Sequence, residues 1–165
     1  MSAPVRVRTR TSATVERAYE VLTSPDWVAR RAERFRDGAS VVRREPRPDG
    51  GLLLAVSREL PDGAPGYLTR LLPRDGRVVQ TDDWDPADGD GARHGTWRVE
   101  LPGVPASLGG TMSLVDDGRG AEWLLLGEAT VSVPLVGGRA ETYVAEMVGR
   151  LGAKEGELLG QVLRG

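Results

Sequence analysis

Charged side chains within otherwise apolar patterns are the features of this chain that could do chemistry. Glu155 lies in a C-terminal segment with helical periodicity, on the same face as Leu151 and Leu158. An ionised carboxylate buried there is costly unless it meets a cation, reaches a wet cavity or becomes protonated. Glu155 is therefore a candidate proton acceptor. The alternative is that it reaches solvent near the helix end or pairs with an arginine.

Two further charges share strand faces with apolar residues. Arg58 is four residues from Leu54 and so lies on the same face of its predicted strand. Asp82 shares a face of the next strand with Gln80 and Trp84 in the same way. If both faces point inward on adjacent antiparallel strands, Arg58 and Asp82 would form a desolvated pair that offers a guanidinium to an acidic or carbonyl-bearing ligand. The alternative is an internal salt bridge that fixes the strand register and contacts no ligand.

Other kinds of catalytic site find no support in the sequence. The chain has no cysteine, which excludes thiolate nucleophiles and Cys-ligated zinc. Its one histidine, His94, lies on the polar face of a predicted strand, and the sequence contains no Gly-x-Ser-x-Gly elbow. The aspartates between 82 and 90 miss the spacing of a calcium loop, and no Walker or dinucleotide pattern occurs. We therefore expect no cofactor and no metal.

The elements that must position these residues follow a simple order. A strand is predicted at 4–11, followed by two short helices at 15–22 and 25–36, the second with a basic side that we take as solvated. Turn sequences then separate strands at 39–45, 52–60, 77–85, 92–101, 111–115 and 121–133. The segment 61–72 is expected to form a short helix over one mouth of the sheet. This order predicts an α+β fold, a curved antiparallel sheet of about seven strands around one long C-terminal helix.

The C-terminal helix is predicted to form one wall of an internal cavity. Its apolar face carries Tyr143, Met147 and Leu151 at 3.6-residue periodicity. The opposite, nearly bare outer face carries Gly149, Gly152, Gly156 and Gly160. Because interior glycines weaken a helix, this arc is a candidate homodimer seam. The alternative is compositional drift on a helix that is held by its packed face.

Composition limits the partners and the compartment. A chain of 165 residues suits one domain, 1–165, with a single core. A net charge of −2 argues against a general nucleic-acid binder. No apolar run approaches the roughly 20 residues of a membrane span, and residues 1–10 lack a signal-peptide core. We therefore expect a cytoplasmic protein without membrane insertion.

The segment Ser12–Asp26, SATVERAYEVLTSPD, resembles the opening helix of the START-like superfamily, which includes polyketide cyclases and plant pollen allergens. Arg58-x-x-Pro61, Gln80-Thr81-Asp82-x-Trp84, and Gly127-Glu128 followed by Val133–Gly138 with Glu141 are similar to an uncharacterised branch from high-GC bacteria. The preference of the chain for arginine over lysine fits such a source. The resemblance implies the helix-grip fold, with a cavity between the concave face of the sheet and the last helix.

The function expected from these observations is binding of a small hydrophobic or amphipathic ligand, lipid or polyketide-like, by a carrier or sensor. One alternative is an enzyme of the cyclase or aromatase type in which Glu155 accepts a proton and Asp82 is an orienting carboxylate beside Arg58. Another is an interaction module with a filled cavity and a glycine seam. The predicted ligand-binding residues are Arg58, Tyr67, Gln80, Asp82, Trp84, Trp97, Met112, Trp123, Tyr143, Met147, Leu151 and Glu155.

Overall fold

Seven antiparallel strands form one curved sheet in the computed structural model, which describes residues 2–165. The elements in chain order are β1 (Ala3–Thr11), α1 (Val15–Leu22), α2 (Pro25–Phe35), β2 (Ser40–Pro46), β3 (Leu52–Glu59), α3 (Gly66–Thr69), β4 (Arg77–Trp84), β5 (Arg93–Glu100), β6 (Ala106–Asp116), β7 (Ala121–Val131) and α4 (Gly137–Arg164). The strand order is β1-β7-β6-β5-β4-β3-β2. The predicted α+β helix-grip architecture is confirmed. Within residues 2–165 no helix combines the length and hydrophobicity of a membrane span.

Side-chain caps determine where the two short helices begin. The hydroxyl groups of Thr14 and Ser24 each accept a hydrogen bond from the backbone N–H three residues further on, at 3.1 and 3.2 Å. Pro25 occupies the first turn of α2, where its missing N–H does no harm. α2 ends at Phe35, and the next residue, Arg36, has a left-handed backbone conformation with a φ of 53°. Both helices lie where the sequence predicted them.

The strand β6 begins earlier than predicted. The sequence analysis placed a strand at 111–115, whereas β6 covers Ala106–Asp116. Gly109 and Gly110 lie inside it: a Cβ on Gly109 would stand 2.6 Å from the carbonyl oxygen of Trp97, and one on Gly110 would overlap the backbone of β7. The two glycines therefore permit a close approach of neighbouring strands, while they weaken the alternating pattern that reveals a strand.

The connection between β3 and β4 contains the predicted short helix. Leu68 of α3 is buried in a cluster with Val131 and Ala140, at the point where β7 leads into α4. Leu71 and Leu72, just after α3, reach the internal cavity. The segment therefore covers one end of the sheet, as expected.

The helix α4 approaches the sheet most closely through glycine. A Cβ on Gly152 would lie 2.6 Å from a methyl group of Val7, and one on Gly156 would overlap a side chain of β1. The predicted bare outer face is therefore wrong for these two residues, because they face β1. A Cβ on Gly149 would point into open space, and one on Gly160 would meet a side chain of its own helix. The four glycines do not form one continuous exposed seam.

The helices α2 and α4 cover different parts of the sheet. α4 packs mainly on β1 and β7, and α2 packs on β2. Between them, residues of β3, β4 and β5 line a gap in the interior. An ion pair between Arg31 of α2 and Glu155 of α4 bridges this gap. The hollow part of the molecule thus lies over the middle of the sheet.

Candidate ligand-binding cavity

An internal cavity of about 150 Å³ lies between the sheet, α2 and α4. Its lining is mainly apolar, and the side chains of the protein leave it unfilled. The sequence-predicted residues that line it are Arg58, Gln80, Asp82, Trp84, Trp97, Met112, Trp123, Met147, Leu151 and Glu155. The alternation of residues on the strands and the helical periodicity of α4 therefore identified most of the predicted residues that line the cavity. That these residues bind a ligand stays a prediction.

Two predicted residues lie away from the cavity lining. The ring of Tyr67 stacks against the guanidinium of Arg139, whose carbon stands 4.2 Å from the ring centroid. Tyr143 packs beside the cluster of Leu68, Val131 and Ala140. Neither tyrosine is among the residues that line the cavity, and that they bind a ligand stays a prediction. Periodicity identifies the buried face of an element, but not which part of that face lies over a hollow.

A buried ion cluster closes one side of the cavity. Arg31 is 5% exposed and donates to Glu155 Oε1 at 2.6 Å and to Asp37 Oδ2 at 3.2 Å. The sequence analysis missed Arg31 because it took the arginines of α2 as solvated. The available signal was its position three residues after Val28 and four after Trp27, which places it on the apolar face.

The carboxylate of Glu155 is held by this cluster. It lines the cavity, as the helical pattern predicted, but its Oε1 is bound to the guanidinium of Arg31. Pairing with an arginine was one of the two alternatives stated for Glu155, and the structure confirms it. One oxygen of Glu155 is therefore already engaged within the protein.

Arg58 brings an unpaired positive charge to the cavity. The β3–β4 register sets Arg58 opposite Val78 and Asp82 opposite Leu54, so the predicted Arg58–Asp82 pair does not form. Among residues 2–165, the side chain of Arg58 has no hydrogen-bond partner and no ion pair within 4.0 Å. Loss of hydration, aided by the nearby Arg31 guanidinium, lowers the pKa of Arg58, although an arginine remains charged.

Asp82 is the titratable carboxyl of the cavity. The register places it between Leu54 on β3 and Trp97 on β5, two apolar neighbours. Its Oδ1 accepts a hydrogen bond from Gln80 Nε2 at 3.0 Å. Burial raises the pKa of Asp82 to about 6, against the opposing effect of the Gln80 bond. The carboxyl therefore changes its protonation state in mildly acidic solution.

Aromatic side chains supply much of the remaining wall. All four tryptophans of the chain line the cavity: Trp27, Trp84, Trp97 and Trp123. Trp97 Nε1 donates to two backbone carbonyls, at 3.1 and 3.2 Å, which fixes the indole across the sheet. Trp123 Nε1 is buried without a partner. Rigid indole faces of this kind suit an apolar or aromatic guest.

The chemistry available in the cavity is limited and specific. It consists of the guanidinium of Arg58, the carboxyl of Asp82 with its amide partner, the ion pair of Arg31 and Glu155, and an apolar aromatic wall. Throughout residues 2–165, we find no group of three or more His, Asp or Glu side chains that could hold a metal ion. The arrangement is suited to holding an organic molecule with a polar end.

A curved sheet that grips one long helix, with a hollow between them, defines the helix-grip fold. The chain is similar to protein Ms6760 from Mycobacterium smegmatis (14% identity, TM-score 0.60, 98% of this chain and 90% of that one). It is also similar to norcoclaurine synthase from Thalictrum flavum in complex with dopamine and hydroxybenzaldehyde (13%, 0.57, 99% and 88%). A third similar structure is the di-domain ARO/CYC StfQ from the steffimycin biosynthetic pathway (16%, 0.59, 98% and 50%). At these identities the likeness shows the fold alone.

The sequence places the chain more narrowly. It belongs to the family described as protein of unknown function (DUF2505), whose family model matches residues 6–163. The match includes all of the cavity residues described above. A comparison with curated proteins gave no match.

Proposed function

We propose that this protein binds a small hydrophobic or amphipathic ligand in its internal cavity, as a carrier or sensor. The observation that carries the proposal is the apolar, tryptophan-lined cavity of about 150 Å³ into which the unpaired Arg58 projects. A dry apolar cavity of about this volume is large enough to hold a molecule of the size of benzene. Leaving the hollow empty would forfeit the dispersion contacts that a guest supplies.

The volume favours a compact, ring-containing ligand over a long acyl chain. The norcoclaurine synthase structure contains dopamine and hydroxybenzaldehyde, both small aromatic molecules. StfQ comes from the steffimycin biosynthetic pathway. Because this chain shares only the fold with these proteins, their ligands support the size and aromatic character of the guest, not its identity. Of the two ligand types expected from the sequence, a polyketide-like molecule fits the cavity better than a lipid.

Native mass spectrometry of gently purified protein tests the proposal directly. We expect a mass above that of the bare chain, and organic extraction should release a small organic molecule that restores the added mass on rebinding. Protein that carries no guest, and that binds none of a panel of aromatic and acyl carboxylic acids in calorimetry, would refute the proposal.

A pair of tryptophan substitutions on α4 separates binding in the cavity from binding elsewhere. Met147 lines the cavity, whereas its neighbour Glu146 is exposed to solvent. Met147→Trp should fill the hollow and eliminate binding, and Glu146→Trp should leave it unchanged. Equal binding by the two variants would show that the guest occupies another place.

A second candidate function, an enzyme, is favoured by one observation. Asp82 faces the cavity with a pKa raised to about 6, which suits a general acid or base near neutral pH. Glu155, the proton acceptor expected from the sequence, is engaged by Arg31. If the extracted guest or its precursor is converted, Asp82→Asn should remove the reaction and its pH dependence near 6, whereas the exposed Asp90→Asn should not. Binding without turnover would leave the carrier or sensor.

A further inference from the structure

Two polar groups in the cavity have hydrogen-bonding capacity that the protein does not use. The guanidinium of Arg58 has no partner among residues 2–165, and Gln80 occupies only Oδ1 of Asp82. In that part of the chain, Trp123 Nε1 is the one fully buried side-chain nitrogen or oxygen without a partner. The free atoms of Arg58 and Asp82 therefore keep accessible surface, and both residues line the cavity.

The nearby charges leave Arg58 as the available cation. Arg31, the other arginine of the cavity wall, is already bound by Glu155 and Asp37. Burial of an unpaired guanidinium in an apolar wall is unfavourable unless an anion or water compensates it. A ligand carboxylate matches the flat donor edge of a guanidinium with two parallel hydrogen bonds.

The register gives the distance between the two groups. Arg58 lies opposite Val78 on β4, and Asp82 follows Val78 by four residues on the same face of that strand. At about 3.3 Å per residue, the two positions are roughly 13 Å apart along the strand. The two charged groups are nevertheless near enough that each shifts the pKa of the other, so a molecule of one ring and a short chain is the size of guest that we expect to join them.

The wall between the two groups is apolar except for Gln80, whose amide donates to Asp82. Trp97 lies opposite Asp82, and Val99 lies opposite Gln80, both on β5. Leu54 flanks Asp82 on the other side. A molecule that reaches from Arg58 to Asp82 would therefore pass the aliphatic Val99 and the Gln80 side chain and meet the indole of Trp97 at its Asp82 end, which favours an aromatic or aliphatic body over a polar one.

We infer, resting on the proposed function, that the ligand is a hydroxylated carboxylic acid with an aromatic or apolar body, whose carboxylate pairs with Arg58 and whose hydroxyl hydrogen-bonds to Asp82. A hydroxyl fits Asp82 better than an ammonium group, because a second buried ligand charge would add a desolvation penalty. It also serves both forms of the carboxyl, since it donates to the ionised form and accepts from the protonated one.

Calorimetric titration with matched probes tests this inference. The probes are 4-hydroxyphenylalkanoic acids of graded chain length, their methyl esters, and the phenylalkanoic acids that lack the hydroxyl. Wild-type protein should bind the best hydroxy acid about tenfold to a hundredfold more tightly than its ester, the range of a hydrogen bond to a charged group. It should prefer the hydroxy acid to the plain acid by about threefold to tenfold.

The variants assign each preference to its residue. Arg58→Gln should abolish the preference for acid over ester, and Asp82→Leu should abolish the preference for the hydroxyl. Asp82→Asn is the conservative second variant if Asp82→Leu does not fold, and it should reduce that preference. Arg6→Gln and Asp90→Asn remove exposed charges and should change neither.

The outcomes separate this inference from the proposed function. Acids and esters that bind wild type equally would overturn it, and so would an acid preference that survives Arg58→Gln. A hydroxyl preference that survives Asp82→Leu would overturn the assignment to Asp82. If no probe binds but native protein carries a different guest in the cavity, the inference fails and the proposed function stands. Absence of any guest or binding would refute both.

Discussion

The two sides of the helix α4 are built in opposite ways. Towards β1, Gly152 and Gly156 have no side chains, and the helix backbone lies directly on the side chains of Val7 and Thr9. Gly152 and Val7 also border the cavity, so they mark the boundary between the two sides. Towards α2, Met147 and Leu151 extend to the wall of a cavity, with Glu155 reaching the guanidinium of Arg31. One side is solid and the other is hollow, although both belong to the same helix.

The difference shows how a helix-grip protein can combine a fixed core with an open interior. Glycine lets two backbones meet, which anchors α4 on the β1 edge of the sheet. The ion pair between Arg31 and Glu155 holds α4 and α2 together without filling the space between them. The contacts with β1 determine where the helix lies. The residues that face the cavity can then change with little effect on the fold.

The largest expected effect comes from breaking the ion cluster that spans the hollow side. Arg31→Met leaves Asp37 and Glu155 without their cation, at 14% and 19% side-chain exposure. We expect the free energy of unfolding to fall by about 3 kcal/mol, since removal of one partner strands the buried charge of the other. Chemical denaturation of the purified variant measures this.

The matched control for this cluster is Arg17→Met on α1. Arg17 also pairs with a glutamate, Glu20, but both side chains are more than half exposed. Its loss should change stability by less than about 0.5 kcal/mol. Adding Glu155→Gln to Arg31→Met should restore part of the loss. A loss in Arg31→Met no larger than in the control would show that the cluster does not hold the two helices together.

The next effect concerns the acid on the hollow side and depends on pH. Because the pKa of Asp82 is raised from its ordinary 3.8 to about 6, the folded protein binds this proton more tightly than the unfolded chain. The stabilisation by the protonated form is complete below pH 3.8 and is lost as pH rises through about 6. Asp82→Asn should therefore be more stable than wild type by about 2–3 kcal/mol near pH 8, and nearly equal to it below pH 3.8.

Denaturation curves of both proteins at the two pH values check this prediction. The difference between wild type and variant cancels the other groups that titrate in this range. A constant offset between the two proteins across pH would mean that Asp82 is as well hydrated in the folded state as in the unfolded chain.

The smallest effect tests the solid side. A methyl group on Gly156 would overlap the side chain of Thr9, whereas one on Gly149 points into open space. Gly156→Ala should lower stability by about 1–2 kcal/mol net, because overpacking outweighs the gain in helix propensity. Gly149→Ala should raise it by about 0.5–1 kcal/mol. If both variants were stabilised, the helix would not be held against β1 at this point.

The fold was largely predictable from the sequence, because helix caps, turns and strand alternation are local signals. Ser24-Pro25 determined the start of α2, and the periodic apolar positions of α4 gave its buried face. The predictions of the fold failed at glycine positions. Gly109 and Gly110 inside β6, and Gly152 and Gly156 against β1, are close-approach positions that leave no apolar pattern to recognise.

The composition of the cavity wall was predictable, but its electrostatics were not. Parity placed Arg58 and Asp82 on inward faces, yet their pairing depends on which residues lie opposite each other. That register depends on the long connection between β3 and β4, which contains α3, and the sequence of the two strands does not specify it. The partner of Glu155 was equally out of reach, since Arg31 lies 124 residues earlier in the chain.

The placement of all four tryptophans in the cavity wall gives the protein a built-in optical reporter. Indole emission shifts to shorter wavelengths in apolar surroundings and is quenched by nearby protonated acids and aromatic guests. Every indole in the chain therefore samples the same hollow, and no tryptophan on the outer surface adds background. The intrinsic emission spectrum of this protein is a spectrum of its cavity.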